Sequence, residues 1–327
     1  MRICVFGAGA VGGHFAAQLA ASGHEVSVIA RGAHLEAIRR NGLTLLKGER
    51  RILGKLQASQ DPRQIGPVDF VLVTLKATSL PEFAGQASPL LGRETAVVFA
   101  QNGIPWWYAQ GISAARCRTP DLGPLDPEGK LARAIAPERV IGSVVYSANE
   151  VVAPGVVQSN APLRNVLVLG EPHDRPTPRV QALAAALEKS EIQAPIETDI
   201  RRTVWAKLAI NLWSSSIGVV TEGSVKENLA DPALAELRPR MQAEARAIAA
   251  AHGVNVEGAP LPPPPPAGGP QHKTSMLQDY EQGRPMEVDA ILMAPLWFAR
   301  AANLPVPTLE AVIALAAHKA RKKGLWK

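Results

Sequence analysis

Arg31 occupies the position where a dinucleotide-binding chain ordinarily carries an acidic residue, and Gly7-Ala8-Gly9-Ala10-Val11-Gly12 lies upstream of it. The six-residue run has the G-x-G-x-x-G spacing and follows an apolar stretch at 2–6 that reads as a short buried strand, with a helical run after it to residue 21. In that context Gly7 permits a tight turn and Gly9 lets backbone approach a pyrophosphate. Gly12 lets the helix pack closely on the strand, and the unpaired N–H groups of the helix start favour an anion. A second strand at 25–29 ends in Ala30-Arg31, about twenty residues past the last glycine, where a carboxylate would bind both ribose hydroxyls and repel a 2′-phosphate. An arginine instead pairs with that phosphate through a contact of about 1.5 to 3 kcal/mol, a ten- to hundredfold preference. NADPH is therefore expected over NADH, the alternative being an ordinary solvated arginine at a strand end.

The elements that must position these groups alternate between strand and helix. Helices are expected at 33–40 and 80–90, and strands at 70–74 and 96–99, which argues for a parallel sheet with helices on both faces. The stretch 110–137 is rich in Gly, Pro and charge and reads as an excursion. Further strands are expected at 140–146, 156–158, 166–169 and 193–196 with a helix at 179–189, continuing the sheet with antiparallel additions at its edge. From Asp199 the pattern turns to long helical segments. The expected fold is thus α/β, a Rossmann-type dinucleotide-binding domain over 1–198 followed by an all-helical domain over 199–327.

Composition agrees with this outline. The 327 residues suffice for two domains, and 46% hydrophobic content gives each a core. No window approaches about eighteen uninterrupted apolar residues, and a core strand begins directly after Met1. Neither a membrane span nor a secretory leader is expected, and a cytoplasmic location follows. The two cysteines, Cys4 and Cys117, lack metal-ligand spacing, and no metal is expected. Cys4 reads as a small buried hydrophobe. A net charge of +6 and a pI near 9.5 could suggest nucleic acid, but only the tail from Lys319 to Lys323 is clustered, with no interleaved aromatics. The excess suits anionic small-molecule ligands through steering.

In the helical half, Asp199 is a plausible N-cap for a helix to about Ser216. Thr203, Lys207, Asn211 and Ser214 or Ser215 then fall on one face, while Val204, Trp205, Leu208, Ala209, Ile210, Leu212 and Trp213 make the helix otherwise apolar. A lysine there is costly unless an anion or cleft receives it, or unless its stem carries the ammonium to solvent; both readings stay open. Thr274 or Ser275 can cap a helix ended by Gly283, and Pro285 is suited to open the next, with Glu287 in its first turn. A proline run at 262–266 forbids helix before that segment.

Taken together, the glycine run, Leu75-Lys76 after the 70–74 strand, Gln101-Asn102-Gly103 after the 96–99 strand, the Lys207–Asn211 helix and the Ser275-Met-Leu-Gln-Asp279 to Glu287 segment resemble the ketopantoate reductase (2-dehydropantoate 2-reductase) family. The resemblance runs to about residue 310 in the family's order. It implies a helical domain of the 6-phosphogluconate dehydrogenase C-terminal type and NADPH-dependent reduction of a 2-keto acid, within pantothenate biosynthesis for the named activity. Lys207 would be the proton donor to the C2 oxygen, Glu287 would position it, Ser275 would bind the substrate carboxylate and Asn211 its distal hydroxyl. Asn102 would lie where cofactor and substrate meet, and Lys76 beside the nicotinamide ribose.

The chain departs from the family where many members carry a second asparagine one turn beyond Asn211; here Ser215 stands, a shorter substrate-binding group. Trp106-Trp107-Tyr108 opens the 105–137 insertion, and these rings either line the site or pack the insertion. Pro295 is expected to kink its helix. Another two-domain dehydrogenase of opine or 3-hydroxy acids, or a non-catalytic NADPH sensor, are the competing readings, and exposed Trp297, Phe298 or Trp326 would support a homodimer.

Overall fold

The computed structural model describes residues 1–112, 119–259 and 273–327, so Cys117 and the proline run lie outside the described residues. The chain divides into two compact units, one of Met1–Gln101 with Glu128–Ile200, the other of Asn102–Pro127 with Arg201–Lys327.

The first unit opens with β1 (Arg2–Phe6), α1 (Ala10–Ala21), β2 (Glu25–Ile29) and α2 (Gly32–Asn41), then β3 (Leu43–Lys47), β4 (Arg50–Gly54), β5 (Gln57–Ser59) and β6 (Val68–Val73). It continues through α3 (Leu80–Gln86), β7 (Leu91–Phe99), α4 (Lys130–Ala134), β8 (Val140–Tyr146), β9 (Asn149–Ala153), β10 (Val156–Ser159), β11 (Val166–Gly170) and α5 (Pro178–Lys189). Among the described residues a seven-stranded sheet runs in the order β11-β8-β7-β6-β1-β2-β5, parallel except where β11 returns antiparallel to β8. The central strands are buried almost throughout, as continuous apolar runs such as Ile3–Phe6 and Phe70–Val73 require of a sheet covered on both faces.

The expectation of one continuing sheet is corrected here. β10 joins β3, β4 and β9 in a separate four-stranded sheet, and residues 193 and 196 form only isolated bridges to β11. The reason lies in α1, which is small on two faces. Besides Gly12 on the β1 side, a Cβ on Gly13 would stand 2.7 Å from Val157 Cγ2, and one on Gly54 2.9 Å from the Cα of Ala17. The helix therefore has sheet against it on both sides.

The second unit is helical: α6 (Ile200–Thr221), α7 (Val225–Ala230), α8 (Pro232–Ala251), α9 (Ser275–Glu281), α10 (Ala294–Ala301) and α11 (Pro307–Lys322). Ser224 closes a capping box with Glu227, and Asp231 caps α8. Arg284 to Glu287 is not helical, contrary to the expectation that Pro285 opens a helix; helical structure begins at Val288. Residues Asp289–Met293 form a π turn that runs into α10. Pro295 accounts for it, since a proline lacks the N–H for an α-helical bond and crowds the carbonyl four residues back, and a π turn is one way to absorb that.

Candidate active site

In the first unit, the strand end and helix start around the glycine run form a cradle. Gly7 adopts φ +105°, and its N–H and that of Ala8 both donate to the Ile29 carbonyl, at 3.1 and 3.2 Å. Thr74 Oγ1 donates to the Gly7 carbonyl at 2.6 Å, tying the loop to the end of β6. A Cβ on Gly12 would stand 2.1 Å from the Gly7 carbonyl oxygen and 2.2 Å from Thr74 Oγ1, whereas a Cβ on Gly9 would meet nothing within 4 Å. Gly12 is thus fixed by the protein's own packing, and Gly9 faces open space. Ala10 and Val11, half-buried in the first turn of α1, and buried Ala8 complete the loop, with no acidic side chain in that turn. A helix start of this kind, with backbone N–H groups at an open glycine and no carboxylate in the first turn, favours an anion.

His34, on α2, holds the same loop from behind. Its Nε2 lies 2.8 Å from the Ala8 carbonyl, and Gly155 N–H donates to its Nδ1 at 3.0 Å. That pair of bonds requires the neutral ring with the proton on Nε2, and burial pushes the His34 pKa down accordingly. Arg31 occupies the N-cap position of α2 without capping it; its side chain is 56% exposed, and its guanidinium donates to Glu82 on α3. Lys76 is half-buried at the turn after β6, and Gln101 Nε2 donates to the carbonyls of Val73 and Leu75 at 2.8 and 3.1 Å. The Cys4 thiol, pushed up to about 12 by burial, takes no part.

In the second unit, α6 is buried nearly all round, but Lys207, Ile210, Asn211 and Ser214 form a half-buried stripe. Lys207 Nζ donates to Asn102 Oδ1 at 2.6 Å. The spacing left open whether this lysine snorkels away; its ammonium is instead held by a neutral side-chain oxygen. Asn102 is fixed in turn by its neighbours: Ile104 N–H donates to the Ala290 carbonyl at 2.8 Å, and a Cβ on Gly103 would lie 2.3 Å from that same oxygen. The π turn thus presents the carbonyl that docks the Asn102 loop, three residues after Glu287. Glu287 itself is 7% exposed.

Thr274 accepts from Leu277 N–H at 3.3 Å and so caps α9, which leaves Ser275 exposed at its first position without a capping duty. α9 starts beside the C-terminal half of α6, since Thr274 Oγ1 would lie 3.6 Å from a Cβ on Gly218. Ser215 is buried at 4%, and Ser214 is the serine that shares the stripe with Lys207 and Asn211. Trp107 and Tyr108 are fully buried and pack the helical core. The Tyr108 hydroxyl accepts from Trp205 Nε1 at 2.7 Å, and the buried Arg201 guanidinium stacks over both rings while donating to the carbonyls of Tyr108 and Gln110. Phe298, expected to be exposed, is buried edge-on against Trp205, Tyr108 and His252. Sequence reasoning missed Thr74, His34, Glu82 and Arg201, whose roles depend on contacts far along the chain.

Among the described residues no group of His, Cys, Asp or Glu could hold a metal ion, and no helix is long and apolar enough to cross a membrane. The family model described as Ketopantoate reductase PanE/ApbA matches residues 3–172, and Ketopantoate reductase PanE/ApbA C terminal matches residues 199–320. The chain is 42% identical over 328 residues to 2-dehydropantoate 2-reductase of Mesorhizobium japonicum, with 100% of both chains covered. It is similar to a solved structure from Ralstonia solanacearum MolK2, provisionally named a ketopantoate reductase, at 32% identity, 99% of each chain and a TM-score of 0.84. A PanE/ApbA family ketopantoate reductase from Ralstonia eutropha JMP134 matches at 26% identity, covering 99% of this chain and 100% of that one, with a TM-score of 0.79. These full-length matches favour neither an opine or 3-hydroxy acid dehydrogenase nor a non-catalytic sensor.

Proposed function

The chain belongs to the ketopantoate reductase family, and from that premise we propose that it is an NADPH-dependent oxidoreductase that reduces 2-dehydropantoate, or a related branched 2-keto acid, to the 2-hydroxy acid. The observation that carries the reading is the 2.6 Å bond from Lys207 to Asn102 on the open stripe of an otherwise buried helix.

The first unit fits the cofactor through the open face at Gly9, the N–H groups at the start of α1 and the exposed Arg31 guanidinium, which would hold the pyrophosphate and the 2′-phosphate. Lys76 would bind the nicotinamide ribose, and Asn102 would stand beside the ring. When bound, the cofactor supplies a hydride to C2 of the keto acid. Lys207 donates the proton to the carbonyl oxygen and stabilises the alkoxide as charge develops. An ammonium has three N–H donors, so its bond to Asn102 does not preclude one to the substrate. Asn102 aims that ammonium, and buried Glu287 orients the same region. Asn211 takes the distal hydroxyl, Ser275 the carboxylate, and Ser214, in place of the buried Ser215 that the family pattern pointed to, the far end of the substrate.

NADPH oxidation assayed with a panel of branched 2-keto acids, ketopantoate among them, tests class and substrate together. The Lys207→Ala variant is expected to lose about 10²- to 10⁴-fold in kcat while its NADPH Kd stays within about twofold. A variant that keeps its turnover removes Lys207 as the proton donor.

A further inference from the structure

We propose that Glu82 is the counter-ion that Arg31 must release to receive a 2′-phosphate, and that it thereby sets how strongly this enzyme prefers NADPH to NADH. The inference rests on the proposed role of Arg31. The Arg31 guanidinium donates to Glu82 Oε1, and the same oxygen accepts from Gln86 Nε2 at 3.2 Å. Glu82 and Gln86 are one turn apart on α3, so the carboxylate is held toward Arg31 from its own helix while Arg31 reaches it from the end of β2. Both partners stand about half in solvent, at 56% and 46% exposure, so the pair is open to exchange rather than locked in a core.

A phosphate dianion and a carboxylate compete for one guanidinium. With the carboxylate in place, a 2′-phosphate must displace it and then sit beside a like charge. NADH makes neither demand, because its ribose hydroxyls are neutral and leave the Arg31–Glu82 pair intact. Glu82 is therefore a positioning residue that acts through Arg31, weakening NADPH selectively. An exposed ion pair contributes up to about a fivefold factor in affinity, and relief of repulsion adds to it. Removing the charge of Glu82 is expected to tighten NADPH about three- to tenfold.

Isothermal titration of the full-length protein with NADPH and with NADH, for wild type, Glu82→Gln, Arg31→Ala and the double variant, decides the matter without an activity measurement. The expected result is tighter NADPH binding by Glu82→Gln, NADH within about twofold of wild type, and a clearly smaller gain from Glu82→Gln when Arg31 is already alanine, since only the repulsion is then relieved. Unchanged or weaker NADPH binding by Glu82→Gln overturns the proposal. So does equal weakening of both nucleotides, which would mark Glu82 as a support for α3 alone, and so does a gain of undiminished size without Arg31. If Arg31→Ala keeps the wild-type NADPH-to-NADH ratio, it is the assignment of Arg31 that fails; if Arg31→Ala lowers the ratio and Glu82→Gln does nothing, only the role of Glu82 fails.

Discussion

Replacing Gly9 with alanine separates the protein's own need for a glycine from the cofactor's. Gly9 is the N-cap of α1, with φ −69° and ψ −160°, values that alanine adopts without strain, and the added methyl would meet no heavy atom within 4 Å. Alanine is a poorer N-cap than glycine, but it lowers the entropy of the unfolded chain by about 0.4 to 1 kcal/mol, so the two effects offset and stability changes by about 0.5 kcal/mol or less. A pyrophosphate seated on the loop would meet that methyl where the backbone must approach it. Overpacking of that kind costs about 1 to 3 kcal/mol, or about a five- to hundredfold rise in NADPH Kd. Gly12→Ala is the converse case: its methyl would overlap the Gly7 carbonyl and Thr74 Oγ1 at 2.1 and 2.2 Å, so the empty protein itself is destabilised. Thermal unfolding and nucleotide titration of both variants check the pair. A folded Gly9→Ala protein that binds NADPH as wild type does would refute the placement of the pyrophosphate on this loop.

Asn102→Ala removes the acceptor that aims Lys207 and is expected to lower kcat/KM about ten- to hundredfold, the cost of a charge-assisted bond, in steady-state assays; a smaller effect would mean that other contacts hold the ammonium. Ser275→Ala should raise KM for the keto acid about tenfold with an unchanged melting temperature, whereas Thr274→Ala, which removes the cap, should cost about 1 kcal/mol of stability. Buried His14 is held down to about 3 by desolvation and by the nearby charge of Lys47. The native state then binds fewer protons than the unfolded chain below the ordinary histidine pKa of 6.5, so stability falls as pH falls from that value toward the native one. Between about pH 7.5 and pH 5 the loss is about 2 kcal/mol, and the unfolding free energies of wild type and His14→Leu from urea titrations should diverge by that amount over the same range.

Much of this was legible in the chain, and the gaps have physical causes. The glycine run, its strand and its helix were readable because they are local, and the buried central strands were readable as apolar runs. The separate sheet was not, because Leu43–Lys47 and Val156–Ser159 are paired in parallel across more than a hundred intervening residues and neither announces its partner. The helical face carrying Lys207 and Asn211 was visible from spacing alone. That Ser214 rather than Ser215 shares it was not, since the two are adjacent and a helix turns about 100° per residue, so burial decides between them. Whether Trp106–Tyr108 line a site or pack the core was likewise undecidable until Arg201, distant in sequence, was found stacked over Trp107 and Tyr108.

These placements bear on how far the family's chemistry carries to this chain. Two departures from the family pattern, the aromatic run and Ser215, have Trp107, Tyr108 and Ser215 itself buried in the packing beneath the α6 stripe, while Lys207 and Asn211 stay on it. A helix rises about 1.5 Å per residue, so Asn211 stands about 6 Å along the axis from Lys207 and Ser214 about 10 Å. With Lys207 at the C2 oxygen, Asn211 is offset far enough to meet a polar group a few bonds beyond C2. A keto acid with a hydroxyl there keeps the amide paired; one without it leaves a partly desolvated amide unsatisfied, at about 1 to 3 kcal/mol. The proposed proton donor is thus insulated from what varies beneath it. On the proposed assignment, discrimination among keto acids rests on Asn211 and on the short Ser214 hydroxyl beyond it, which reaches less far than the second asparagine common in the family.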